Sequence, residues 1–449
     1  MAVSPARAVA FDTLLKVEKA NAYASELLHS PLAAALSHAD HGLATELVMG
    51  VLRWQSKLDS RIGLRSSQPL SKLDHEVLIA LRLAAYQLAF LERVPPHAAV
   101  HESVELVKRA HKRSAAPFVN AVLRKLSKEE TSRDFEREII QATTAQRLSE
   151  ASAHPQWLVE RWAAEFGLDR TRSICNYDQH VPQAAIRLHG PGIEDEFKSE
   201  GIELAPGGLL TSARRVLSGF IPGSRAFREG RVTIQDEASQ LVALLAGHGM
   251  NILDGCAAPG GKTRILAERN PAAKVLAVEL HPQRAQLLRT RVAAANVQVI
   301  AADLRELPTT SSFDLVLADV PCSGTGTLAR NPEIKWHLRA EDLSELRDRQ
   351  LALLCAAMQH VQPGGRLVYS TCSLELEENS EVVGHALATD DSFSLLDCPS
   401  QLERLGTEGE LSLQNPDSLV HGPFLRTIPG EHSCDGFFAA ILQKAPARR

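Results

Sequence analysis

The chain has 449 residues, of which 44% are hydrophobic, and it carries 49 Lys and Arg against 54 Asp and Glu for a formal net charge of -5. That length suggests about three domains with ample core-forming material, and the charge balance excludes a globally basic nucleic-acid binder, leaving local patches to meet such a partner. No stretch approaches the roughly 18 apolar residues of a membrane span, no basic-then-apolar leader opens the chain, and seven scattered cysteines without a CxxC pair argue against a disulfide framework or a structural zinc site. A soluble, cytoplasmic, monomeric protein with no metal and no membrane contact is expected.

Residues 1–126 read as all-helical. Val77, Leu78, Leu81, Ala84, Leu88 and Leu91 recur at helical intervals, as do Phe118, Val122, Leu123 and Leu126. Pro95-Pro96 separates two such helices. Lys108, Arg109, Lys112, Arg113, Arg124, Lys125 and Lys128 form a basic cluster, which is either a solvated helix face or a footprint for phosphate backbone. Residues 127–150 are polar and read as a connector. From 151 to 231 a small α+β unit is expected: a helix from Pro155 to Phe166, a strand at 184–188, a helix from Ile193 to Ser199 and a further strand near Ile202.

Residues 232–449 read as an α/β domain. Strand candidates are Ile252-Leu253-Asp254, Val275 to Glu279, Val297 to Ala301, Asp314 to Asp319 and Arg366 to Ser370, with a final strand at Phe437–Leu442. Near-continuous apolar strands alternating with helices predict a parallel sheet covered on both faces.

The first of these strands runs into Gly255-Cys256-Ala257-Ala258-Pro259-Gly260-Gly261-Lys262-Thr263. Small residues let backbone approach a ligand, and the helix that follows offers free N–H groups. One residue too many lies between Gly255 and Gly261-Lys262-Thr263 for a phosphate loop, although Asp319 mimics the strand-end aspartate of an ATPase, so that rival stays open. The dinucleotide fingerprint GxGxxG is absent. S-adenosylmethionine fits better: Glu279 ends the second strand, where an acid would hold both ribose hydroxyls, and Asp303 follows the third, near an adenine. Each acid singly reads as a helix cap or loop residue. Acids at successive strand ends make that reading weak.

Two cysteines end apolar strands and each precedes a serine: Cys322 in Asp319-Val320-Pro321-Cys322-Ser323-Gly324-Thr325-Gly326, and Cys372 in Ser370-Thr371-Cys372-Ser373. Thiolates are strong covalent nucleophiles, and the two converge if their strands are neighbours. A lone buried cysteine is commonly inert core.

Together with Gln235-Asp236-Glu237-Ala238-Ser239, Asn331-Pro332-Glu333-Ile334-Lys335-Trp336 and Asp435-Gly436-Phe437-Phe438, these motifs resemble the RNA cytosine-C5 methyltransferases of the Nop2/Sun type over 235–438. The helical 1–126 region resembles the RNA-binding antitermination factor NusB. That joining points, within the family, to bacterial members acting on 16S (small-subunit) ribosomal RNA at a single-stranded loop or junction. The resemblance implies a NusB-like domain, a linker at 127–150, an RNA-recognition-like domain at 151–231 and a Rossmann-like methyltransferase domain at 232–449. It implies Cys372 as the thiol that attacks C6, Cys322 as the thiol that assists release, and Asp319 as the group holding the base beside the cofactor. The loop residues Cys256, Ala257, Ala258, Pro259, Gly260, Gly261 and Lys262, with Glu279, Asp303 and Asp319, would bind S-adenosylmethionine. Lys262 is open between a positive group near Asp319 and a surface lysine. Arg426 and His432 are candidate RNA contacts. Glu279 stands where the family usually has aspartate, and Val320 where it often has alanine. A non-catalytic RNA-binding module stays open, with the intact Cys372, Asp319 and Glu279 weighing against it.

Overall fold

The computed structural model describes residues 3–20, 22–127, 132–308 and 312–447, the side chains of 132–134 excepted. Lys128 of the basic cluster lies outside the described residues. The chain divides into two compact units, one formed by Met1–Pro182 with Leu328–Ala340, the other by Gln183–Thr327 with Glu341–Arg449. No helix among the described residues is long and apolar enough to cross a membrane.

The first unit is helical. Its long helices include His38–Arg65, His75–Phe90 and Pro96–Arg109, the last beginning on a proline whose fixed φ and missing N–H suit a first helical position. The expected connector at 127–150 is instead largely helical, in Ser132–Gln141 and Ala145–Ser152. Phe135, Ile139, Leu148 and Ala151 are buried, and the Phe135 ring lies 5.5 Å from those of Trp54 and Phe90. Sparse apolar residues at helical spacing were enough, because these four are buried. Helices Gln156–Phe166 and Leu168–Asp178 also belong here, which moves the expected boundary at 150 to 182.

Leu328–Ala340 completes this unit from far along the chain. Glu333 Oε1 accepts the N–H of Ala24 (2.8 Å), at the start of helix Ala24–Leu28. Lys335 Nζ donates to Arg53 O (2.8 Å), Trp336 Nε1 to Leu52 O (2.6 Å), and Arg53 Nη2 to Ala329 O (3.0 Å). Lys335 is fully enclosed, and burial pulls its ammonium down from 10.5 to about 7.

The second unit holds two sheets. The smaller is antiparallel in the order β2-β3-β1-β4, from β1 (Ala185–Leu188), β2 (Glu203–Pro206), β3 (Ala213–Ser218) and β4 (Val232–Ile234). It reaches past the expected limit at 231. The larger contains β5 (Asn251–Asp254), β6 (Lys274–Glu279), β7 (Val297–Ala301), β8 (Phe313–Asp319), β9 (Val361–Thr371), β10 (Phe393–Leu395), β11 (Val420–His421), β12 (Phe424–Thr427) and β13 (Phe437–Lys444). Its order is β11-β12-β13-β9-β8-β5-β6-β7, with β10 on β13. The stretch β9-β8-β5-β6-β7 is parallel and β13 runs antiparallel to β9, so the sheet is mixed.

Alternation along β8 shows that both faces are covered. Leu315 and Leu317 enter one core cluster, whereas Val316 and Ala318 enter another, and all four are buried. The chain winds outward from β5 to β7 and then returns to β8 on the other side of β5. The carboxyl ends of β5 and β8 thus flank the topological switch, where open α/β sheets bind ligands.

Candidate active site

The carboxyl edge of the large sheet collects the expected site residues in a row. Asp303 follows β7, Glu279 ends β6, Asp254 ends β5, Asp319 ends β8 and Cys372 follows β9. Neighbouring strands in register make a line of chemistry out of residues scattered over 119 positions of sequence.

The loop 255–260 sits beside this row. Gly255 N donates to Leu317 O (2.8 Å) and Ala257 N to Val278 O (2.9 Å), which ties the loop to β8 and β6. Cys256 is half-buried, and burial pushes its thiol well up, so it stays protonated and lines the loop. Ala258 and Pro259 carry the chain to Gly260, whose φ is +110° and whose absent Cβ would meet Val292 and Leu288 at 2.6 and 2.7 Å. Gly261 opens helix Gly261–Arg269.

Lys262 is no surface lysine. Its Nζ lies 2.6 Å from Asp319 Oδ2 and 5.1 Å from the centre of the Phe437 ring. Ser370 Oγ donates to Asp319 Oδ1 (2.7 Å), so each carboxylate oxygen has one partner and keeps lone-pair capacity for a ligand. Thr263 Oγ1 donates to Asp254 Oδ2 (2.7 Å), whereas the buried Oδ1 of Asp254 has no protein partner. Burial lifts that carboxyl to about 7.

Glu279 is buried, with Oε1 accepting the His281 N–H (3.0 Å). Asp303 accepts from the Arg305 N–H (2.9 Å) and pairs with its guanidinium (2.5 Å), contacts that hold its carboxyl below the usual range. It therefore also plays the capping part weighed from sequence.

The two thiols converge: Cys322 Sγ and Cys372 Sγ lie 3.3 Å apart. Their loops are locked by close backbone approach. Gly326 N donates to Cys372 O (2.9 Å) and Gly436 N to Gly326 O (2.7 Å), and a Cβ on Gly326 would sit 2.1 Å from Gly436 O. The hydrogen bond shared with Cys372, followed by burial, holds the Cys322 thiol well above its ordinary range. Tyr369 and Glu378, fully buried beside the thiols, were not singled out from sequence. An acid five residues past the strand-end Thr371-Cys372-Ser373 was the available signal.

Arg426 and His432, the candidate RNA contacts, point inward and are held by the protein itself. Both are buried: Arg426 Nη2 donates to Leu374 O (2.6 Å), and His432 Nδ1 accepts the Ile428 N–H (2.9 Å). In the basic cluster, Lys108, Arg109 and Lys112 pair with Glu105, Asp12 and Asp74 at 2.7, 2.8 and 3.0 Å, which dilutes the field offered to phosphate.

Comparison with known proteins matches this arrangement. Residues 242–443 fit the family model described as 16S rRNA methyltransferase RsmB/F, and residues 4–128 fit the NusB family. A probable ribosomal RNA small subunit methyltransferase B of Bacillus subtilis (strain 168) is 34% identical over 98% of this chain and 98% of its own. The ribosomal RNA small subunit methyltransferase B of Sodalis glossinidius (strain morsitans) is 33% identical over 92% of each. The crystal structure of PH0851 shares the fold with a TM-score of 0.78 at 24% identity, covering 99% of this chain and 100% of that one.

Proposed function

The chain belongs to the RsmB/F family of 16S rRNA methyltransferases, and on that premise we propose that it methylates C5 of a cytosine through a covalent bond between Cys372 and C6. The observation that carries the reading is the thiol pair, 3.3 Å apart, beside a carboxylate that Lys262 holds at 2.6 Å. The cofactor is S-adenosylmethionine, which supplies an electrophilic methyl group when bound. The residues fit it: Glu279 suits the ribose hydroxyls, the small-residue loop 255–260 suits close approach, and Asp254 offers an unpaired oxygen.

Cytosine C5 is a poor nucleophile. Attack by the Cys372 thiolate forms an S–C bond at C6 and pushes the ring electrons to C5, while N3 takes a proton. C5 then accepts the methyl group. Loss of the C5 proton, return of the N3 proton and expulsion of the Cys372 thiolate restore the aromatic ring. Asp319 is suited to hold N3 and N4 of the base, because Lys262 and Ser370 orient its two oxygens where positive charge develops.

The thiol pair supports a sequence of events. Cys322 Sγ stands 3.3 Å from Cys372 Sγ, so it lies beside the S–C6 bond once that bond has formed and is placed to assist release when the C5 proton must leave. The RNA has to present its cytosine out of the stack, at a cost of a few kcal/mol that a single-stranded loop or junction lowers.

Labelled methyl transfer to 16S ribosomal RNA, with bisulfite sequencing of the product, tests the reading. One newly protected cytosine is expected. Label at a base nitrogen or a ribose oxygen would overturn it.

A further inference from the structure

Glu378 takes no part in the chemistry above, yet it binds both cysteine loops. It lies fully buried in the turn Leu376–Glu378. Its Oε1 accepts the backbone N–H of Ser323 (2.8 Å) and the side-chain amide of Gln350 (2.7 Å). Its Oε2 accepts the hydroxyl of Ser373 (2.5 Å) and that of Ser323. Ser323 follows Cys322, and Ser373 follows Cys372, so one carboxylate grips the residue after each thiol. Gln350 extends the grip by donating to Pro321 O (3.0 Å), on the other side of Cys322. The Glu378 carbonyl accepts the Tyr369 hydroxyl (2.6 Å), which pins the turn to β9.

A fully buried carboxylate is costly unless its oxygens are satisfied, and here four donors satisfy it. The cost would be avoided by an apolar residue if the turn had only to pack. What an apolar residue cannot do is hold two separate loops to one rigid group. We propose that Glu378 is a positioning residue that sets the separation of the two thiols, and so governs the hand-over from bond formation at Cys372 to release assisted by Cys322. The inference rests on the covalent mechanism proposed above. It places the role in the second half of the reaction: loosening the loops leaves Cys372 free to attack but takes Cys322 away from the C5 proton.

The test uses the full chain with S-adenosylmethionine and 16S ribosomal RNA, in wild type, Cys322→Ala, Glu378→Gln and Ser373→Ala. Three readouts are taken: adduct retained on a denaturing gel, methyl transfer in a single turnover, and cofactor affinity by calorimetry. Glu378→Gln should accumulate adduct and lose steady-state turnover on the order of 100-fold, as a misplacement of about 1 Å does, while cofactor affinity stays at the wild-type value. Ser373→Ala removes one grip and should shift the same way by less, and it carries the test if Glu378→Gln does not fold. Wild-type partition in both variants, or loss of cofactor binding in step with activity, overturns the proposal. If Cys322→Ala itself traps no adduct, the covalent mechanism fails, and that failure is read independently of Glu378.

Discussion

Lys262 Nζ lies 2.6 Å from Asp319 Oδ2, so the first turn of the helix after β5 delivers a fixed cation to the carboxylate that ends β8. Replacing it by Lys262→Met keeps the stem over Phe437 but leaves Asp319 without its charge partner. Turnover should fall on the order of 100-fold, with cofactor affinity little changed, as steady-state kinetics and calorimetry would register. Equal losses in both would mean that Lys262 holds the cofactor instead.

The thiols should separate by phenotype. Cys372→Ala abolishes methyl incorporation. Cys322→Ala still transfers a methyl group and then accumulates an RNA-linked protein that survives denaturing electrophoresis. The reversed pattern would make Cys322 the nucleophile.

Glu279 bears on cofactor binding alone. Glu279→Ala should weaken S-adenosylmethionine binding by about tenfold or more, the worth of one charge-assisted hydrogen bond. Glu279→Asp should lose less. Titration calorimetry distinguishes them, and an unchanged affinity in Glu279→Ala would remove this residue from the site.

Lys335 predicts a pH dependence of folding. Its ammonium falls from 10.5 in the open chain to about 7 when buried. Between those values the unfolded chain binds a proton that the folded chain does not, so stability rises with pH across the window and the gain is lost as pH falls towards 7. The stability difference between wild type and Lys335→Met, measured by urea unfolding, should grow in favour of wild type by roughly a few kcal/mol from pH 7 to about pH 10. A flat difference would show that the buried amine titrates normally.

Sequence made the α/β unit legible because its parallel strands are continuous apolar runs. The candidates ending at Asp254, Glu279, Ala301 and Asp319 stop where β5 to β8 stop. The site was legible for the same reason, since its groups follow strand ends. Helix Ser132–Gln141 was hidden because burial there hangs on isolated residues such as Phe135 and Ile139 in a charged run. Arg426 and His432 were misread because type suggests exposure, whereas a carbonyl on Leu374 and the N–H of Ile428 draw them inward. Glu378 was invisible as a junction, for its partners Ser323 and Gln350 come from distant stretches.

The chain contributes to the helical unit twice, as Met1–Pro182 and again as Leu328–Ala340. A single backbone cut after Pro182 would not release that unit, because its last segment stays covalently sewn between Thr327 and Glu341. A gene fragment ending at 182 would yield a helical unit short of Glu333, Lys335 and Trp336, with the Ala24 N–H left without its acceptor and the carbonyls of Leu52 and Arg53 each short of one donor. The two units are therefore interleaved along the chain, not modules joined end to end.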